Sequence, residues 1–88
     1  MISKNAVVLN KQGMHARPAS MFVGAAGKFK SKITIEKGEK QGNAKSIFSL
    51  LALGIIQGSE VRIFAEGEDE AEAVDTLIGL IESRFGEE

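Results

Sequence analysis

The spacing of apolar residues changes repeatedly along the chain, and each change predicts an element. Ile2 to Leu9 reads as a strand, with Ala6 and Val8 on one face and Val7 and Leu9 on the other. Asn10 to Gly13 is a turn-rich link. Ala19, Phe22, Val23 and Ala26 then fall at helical spacing and predict a helix from Ala16 to Gly27, ending on Gly27 as a left-handed cap. Pro18 suits the first turn, where a missing N–H is harmless, and Arg17 before it is biased toward an irregular start. Over Lys32 to Lys37, Ile33 and Ile35 alternate with polar residues as in a half-buried strand. Gly38-Glu39 turns the chain into a weak edge strand near Lys40 to Asn43. Ile47 to Leu53 is too apolar for a loop, and Ser46 and Gly54 predict a short helix capped at both ends. Glu60 to Glu66 is the clearest strand, with Val61, Ile63 and Ala65 inward and Arg62, Phe64 and Glu66 outward. After Gly67, an acidic first turn (Glu68, Asp69, Glu70, Glu72) opens a last helix. Val74, Leu77, Ile78, Ile81 and Phe85 share its apolar face, and Arg84 and Gly86 end it. The order β-α-β-β-α-β-α predicts an α+β fold of two layers, one sheet with one face buried under helices.

Composition narrows the class. Eighty-eight residues, 43% of them hydrophobic, make one domain with one core. No run approaches the ~20 apolar residues of a membrane span, and the first residues lack a signal-peptide pattern. Without cysteine there is no disulfide framework, so a cytoplasmic location is expected. A net charge of −1 argues against a generic nucleic-acid binder. That average conceals an asymmetry: residues 1–45 carry +7 and residues 46–88 carry −8. A positive first half would steer acidic partner surfaces toward it, although an ordinary lysine-rich surface explains the numbers as well.

The chemistry concentrates in Gly13-Met14-His15-Ala16-Arg17-Pro18-Ala19-Ser20, which holds the only histidine and the only proline. His15 stands at the predicted mouth of a helix, where free N–H groups and the positive end of the dipole favour an anion. Arg17 adds a guanidinium able to grip phosphate bidentately. A neutral imidazole is a competent nucleophile, so nucleophile and anion cradle sit in one short segment, as a phosphorylation site requires. An ordinary hydrogen-bonding histidine is the competing reading. A metal site is disfavoured, because neither a cysteine nor a second histidine completes one. A Ser-His-Asp hydrolase is disfavoured by the missing nucleophile elbow.

Gly13 to Ala19 closely resembles the active-site motif of HPr, the histidine-containing phosphocarrier family of the bacterial phosphoenolpyruvate:sugar phosphotransferase system. A second stretch, Asn43-Ala44-Lys45-Ser46-Ile47 running on to Leu53-Gly54, is similar to that family's regulatory serine region. The resemblance spans the whole chain, 1–88, as a single phosphocarrier domain. It implies an open-faced β-sandwich, a four-stranded antiparallel sheet in order 1-4-2-3 with three helices on one face. Val7 and Phe64 would then be exposed neighbours on the other face.

Function follows from the resemblance as expectation. His15 would accept a phosphoryl group from enzyme I and pass it to sugar-specific IIA domains, with Nδ1 as the family's acceptor atom. Arg17 would neutralise charge, and the N–H groups of Ala16 and Arg17 would complete the cradle. Such a carrier has no turnover of its own, needs neither cofactor nor metal, and is expected as a monomer that enters no membrane. Gln12, Ser20, Ile47, Phe48 and Leu51 would form the docking face. Gln12, Ser20 and Phe48 stand where many members carry other residues, and none removes a group the mechanism needs. Ser46 reads from spacing alone as a helix N-cap. The resemblance adds phosphorylation by an ATP-dependent HPr kinase/phosphorylase and, in some lineages, binding of the modified form to a catabolite-control transcription factor. Two alternatives stay open: a nitrogen-related phosphocarrier with a regulatory role, and a plain protein-interaction module in which His15 is incidental.

Overall fold

Alternation in the strands and a 3.6-residue period in the helices place both sets of apolar side chains on facing surfaces. The computed structural model describes residues 1–87. Its elements are β1 (Ile2–Val7), α1 (Ala16–Ala26), β2 (Lys32–Lys37), β3 (Lys40–Asn43), α2 (Ile47–Ala52), β4 (Glu60–Glu66) and α3 (Glu70–Glu82), followed by a 3-10 turn at Arg84–Gly86. The strands form one antiparallel sheet in the order β1-β4-β2-β3, with the three helices over one face. Register aligns the inward side chains: Ala6 lies opposite Val61, Ile33 opposite Ala65 and Ile35 opposite Ile63. These residues meet Phe22 of α1, Leu50 of α2, and Val74, Leu77 and Ile81 of α3 in a single core. The expected open-faced sandwich and its strand order are both present.

The open face carries Ser3, Asn5, Val7, Arg62 and Phe64, with the Arg62 guanidinium 5.3 Å from the centre of the Phe64 ring. Val7 and Phe64 are not neighbours there. Val7 lies opposite Glu60 and Phe64 opposite Ser3, so the pair sits at opposite ends of the β1–β4 ladder. Strand β1 is shorter than Ile2 to Leu9, although Val8 still exchanges backbone bonds with Ser59 and Gly58.

Helix ends account for the other differences. Gly27 is right-handed (φ −65°, ψ −17°), because Lys28 and Phe29 donate to the carbonyls of Ala25 and Ala26 and tighten the turn without a left-handed residue. The start of α1 is regular, with Ala19 N–H donating to His15 O at 2.9 Å, so the bias of Arg17 before proline is overridden. Helix α3 stops at Glu82, short of Phe85. Arg84 and Phe85 turn left-handed, at φ 58° and 55°, which costs about 1–2 kcal/mol per residue. Phe85 is nevertheless 1% exposed, and burying such a ring contributes about 1.5–3 kcal/mol, which offsets much of that strain. A straight helix would carry Gly86 and Glu87 away from the body; the reversed turn brings them back.

Asp69 also departs from expectation. Its carboxylate leaves its own helix uncapped and accepts hydrogen bonds from Ser31 Oγ, Lys30 N and Ser31 N. The Ser31 hydroxyl first, and then the Lys30 amide, hold its carboxyl at about 2. The start of β2 is thereby stapled to the start of α3.

Candidate functional site

One loop, one helix mouth and one reversed turn build the site. The loop is Asn10 to Met14. Gly13 adopts φ +63°, and a Cβ there would stand 2.5 Å from Ile55 O and 2.6 Å from Ile56 Cα. Only glycine permits that approach. Met14 N–H donates to Ile55 O at 3.0 Å, so the loop is pinned against the segment between α2 and β4. The chain then enters α1 with His15 as N-cap residue, its backbone extended and its side chain making no capping bond. The imidazole is therefore free to face other partners. Pro18 has no N–H, and among the described residues the N–H groups of Ala16 and Arg17 have no backbone or side-chain acceptor. Those two donors, on a helix end with positive partial charge, can take an anion.

The third contributor is Glu87. Its Oε2 lies 3.0 Å from His15 Nε2 and accepts from Arg17 Nη1 at 3.2 Å. Its Oε1 accepts from Asn10 Nδ2 at 3.0 Å. Asn10 is fully buried and donates its other amide hydrogen to Gly13 O at 2.7 Å. Burial alone would raise the Glu87 carboxyl, but the Asn10 amide, then His15, then Arg17 outweigh it and hold the group below the usual carboxylate range. The side chain of His15 is half-buried and that of Arg17 is 63% exposed, so the ring is held while the guanidinium can move.

The structure joins His15 and Arg17 through Glu87, beside the Ala16 and Arg17 amides, whereas the remaining predicted residues share no side-chain hydrogen bond with them among the described residues. Gln12 and Ser20 are exposed, and no hydrogen bond among the described residues joins either of them or Ser46 to His15. Ser46 is the N-cap of α2, its hydroxyl accepting from Ser49 N at 3.4 Å. Helix α2 packs on α1. Its Ile47 is half-buried, whereas Phe48 is 82% and Leu51 43% exposed. Met21 on α1 and Ile56 beside Gly13 are further exposed apolar side chains. Sequence reading missed Asn10, Glu87 and Ile56. Glu87 lies 72 positions from His15, a separation no local period reports. Among the described residues, no group of three or more His, Cys, Asp or Glu side chains is arranged to hold a metal ion. No helix among the described residues is long and apolar enough to cross a membrane.

A ring nitrogen at a helix mouth can receive a phosphoryl group, and the exposed guanidinium and two unpartnered amides beside it can neutralise the charge. Known proteins resemble this chain in sequence and in fold. A family model described as "PTS HPr component phosphorylation site" matches residues 2–83. The chain is 44% identical over 81 residues to the phosphocarrier protein HPr of Haemophilus influenzae, covering 92% of this chain and 95% of that one. It is 48% identical over 82 residues to the HPr-like protein Crh of Halalkalibacterium halodurans, covering 93% and 98%. The crystal structure of an HPr from Thermoanaerobacter tengcongensis superposes with a TM-score of 0.97 at 51% identity, covering 100% of this chain and 99% of that one. Matched in fold and over nearly its whole length, the chain belongs to the HPr family of phosphocarriers.

Proposed function

We propose that this chain accepts a phosphoryl group on His15 from phosphorylated enzyme I and delivers it to a histidine of a sugar-specific IIA domain. The observation that carries the reading is His15 at the mouth of α1, with two unpartnered amides and Arg17 beside it. His15 is the nucleophile, and Arg17 and the Ala16 and Arg17 amides neutralise the phosphoryl oxygens. The chain acts as a substrate of its partners, with no turnover of its own and no cofactor. Every group named comes from one chain, so one copy suffices for the step.

The docking face in this reading is the apolar surface of Ile47, Phe48 and Leu51, flanked by Gln12 and Ser20. An 82%-exposed phenylalanine supports it, because a large apolar side chain left in water is most useful under a partner. Ser46 is the regulatory position. A phosphate there, placed by an ATP-dependent kinase, would meet the amides that open α2 and add about −1.5 to −2 charges beside the docking face. A catabolite-control transcription factor is the expected partner of that modified form.

Incubation with phosphoenolpyruvate and enzyme I tests the carrier role. One acid-labile phosphate per chain is expected, lost in His15→Ala and chased onto a IIA domain. Failure to label, or label that survives in His15→Ala, overturns it.

A further inference from the structure

A carboxylate that touches both the ring and the guanidinium of an anion site needs explaining, since it stands where an incoming anion's partners are. Ionised Glu87 can only accept hydrogen bonds. With its Oε2 3.0 Å from Nε2, the ring hydrogen belongs on Nε2, and the lone pair is left on Nδ1. No Nδ1 partner occurs among the described residues. The carboxylate is itself held from behind. Asn10 faces two acceptor-only groups, Gly13 O and Glu87 Oε1, so its NH₂ must point at them. Its Oδ1 is then left buried without a partner. Proteins seldom leave such a group unless its geometry serves something else. Here the buried amide fixes the carboxylate that fixes the ring.

We propose that Glu87, held by Asn10, is the positioning residue of the phosphoryl step at His15. It keeps the hydrogen on Nε2 and Nδ1 free to attack, and it balances the positive charge that the ring acquires. The inference rests on the carrier reading above. In the step, the Nδ1 lone pair forms a bond to phosphorus as the phosphorus–nitrogen bond of a phosphohistidine donor breaks. That bond's electron pair stays on the donor imidazole. The Nε2 hydrogen stays on His15, whose ring becomes a phosphorylated cation facing the Glu87 carboxylate, so no proton has to move. Arg17 gives up its shared hold on Oε2 and turns to the phosphoryl oxygens, a motion its exposure permits. The arrangement parallels the buried carboxylate that sets a catalytic imidazole's tautomer.

Two variants test it. Glu87→Gln keeps the shape without the charge, and Glu87→Ala removes the contact; neither touches the core. Long-range ¹H–¹⁵N spectra of His15 in the unphosphorylated protein should show Nε2–H dominant in the wild type and a mixed tautomer population in both variants. Phosphoryl acceptance from enzyme I should fall about 10-fold in kcat with KM unchanged, and Glu87→Asp should recover part of it. A wild-type tautomer ratio and wild-type kcat in Glu87→Gln overturn the proposal. Faster transfer also overturns it and makes the carboxylate a competitor of the phosphoryl group. The tautomer measurement needs no partner, so it decides the role of Glu87 even if the carrier reading itself fails.

Discussion

Asp69 and Glu87 are both carboxylates brought across the fold to hold a distant segment, and they hold it differently. Asp69 takes two backbone amides and one hydroxyl, on a serine that is itself buried. Glu87 takes only side-chain donors, from Asn10, His15 and Arg17. Backbone donors cannot turn away without moving the chain, so the first contact is a fixed staple. Side chains can rotate, so the second can be exchanged for another anion. A carboxylate's donors therefore distinguish a structural contact from a working one better than its burial does.

The largest effect should come from breaking the staple. Asp69→Ala strands the amide and hydroxyl of buried Ser31 and is expected to lower Tm by roughly 5–10 °C in a thermal melt. The same contact has a pH signature. The carboxyl titrates at about 2 when folded against an ordinary 3.8, so its contribution is complete above pH about 4 and disappears as the pH falls toward 2. Acid titration followed by circular dichroism should show the wild type losing stability over that interval more steeply than Asp69→Ala. If the two curves run parallel, the staple is no stronger than the exchangeable contact.

Arg17→Lys sharpens the other side. Lysine keeps a charge for Glu87 but loses the planar fork, so transfer from enzyme I is expected to slow by about 10-fold or less while stability stays within about 0.5 kcal/mol. An unchanged transfer rate would mean that Arg17 serves Glu87 and not the phosphoryl group.

The smallest effect compares the mouths of α2 and α1. Ser46 fills its own helix end with a 3.4 Å bond, whereas His15 leaves its end open. Loss of so long a bond in Ser46→Ala should cost about 0.5 kcal/mol. Ser46→Asp should melt no lower than the wild type. Its His15 phosphorylation should be slower, and added salt should partly restore it, because screening weakens repulsion between exposed charges. A slow rate indifferent to salt would point to blocked packing at Ile47 and Phe48.

The elements were legible because their signals are local. Ile33 and Ile35, or Val61, Ile63 and Ala65, declare a buried face within a few residues. Half of the site was equally legible, since His15, Arg17 and Pro18 lie in one segment at a helix start. The other half was not. Asn10 reads as an ordinary turn residue until Gly13 O and Glu87 surround it. Phe85 fits the helical period of α3, and only three-dimensional packing shows that it is buried by a left-handed turn. Glu87 then reaches His15 through that turn, which neither propensity nor period announces.

The turn also sets a local concentration. Phe85 is anchored in the core, and Glu87 follows it by two residues, a reach of at most ~7 Å. A group on so short a tether meets its target as though present at millimolar concentration or above. Dissolved carboxylates or phosphate at micromolar levels therefore do not displace it from Arg17 and the ring. In the proposed transfer a phosphoryl group presented by a docked partner competes for Arg17 alone, because docking confines it to a comparable volume while the ring keeps its carboxylate. On that proposal stray anions are kept from Arg17, and the guanidinium is left to a phosphoryl group delivered inside a complex.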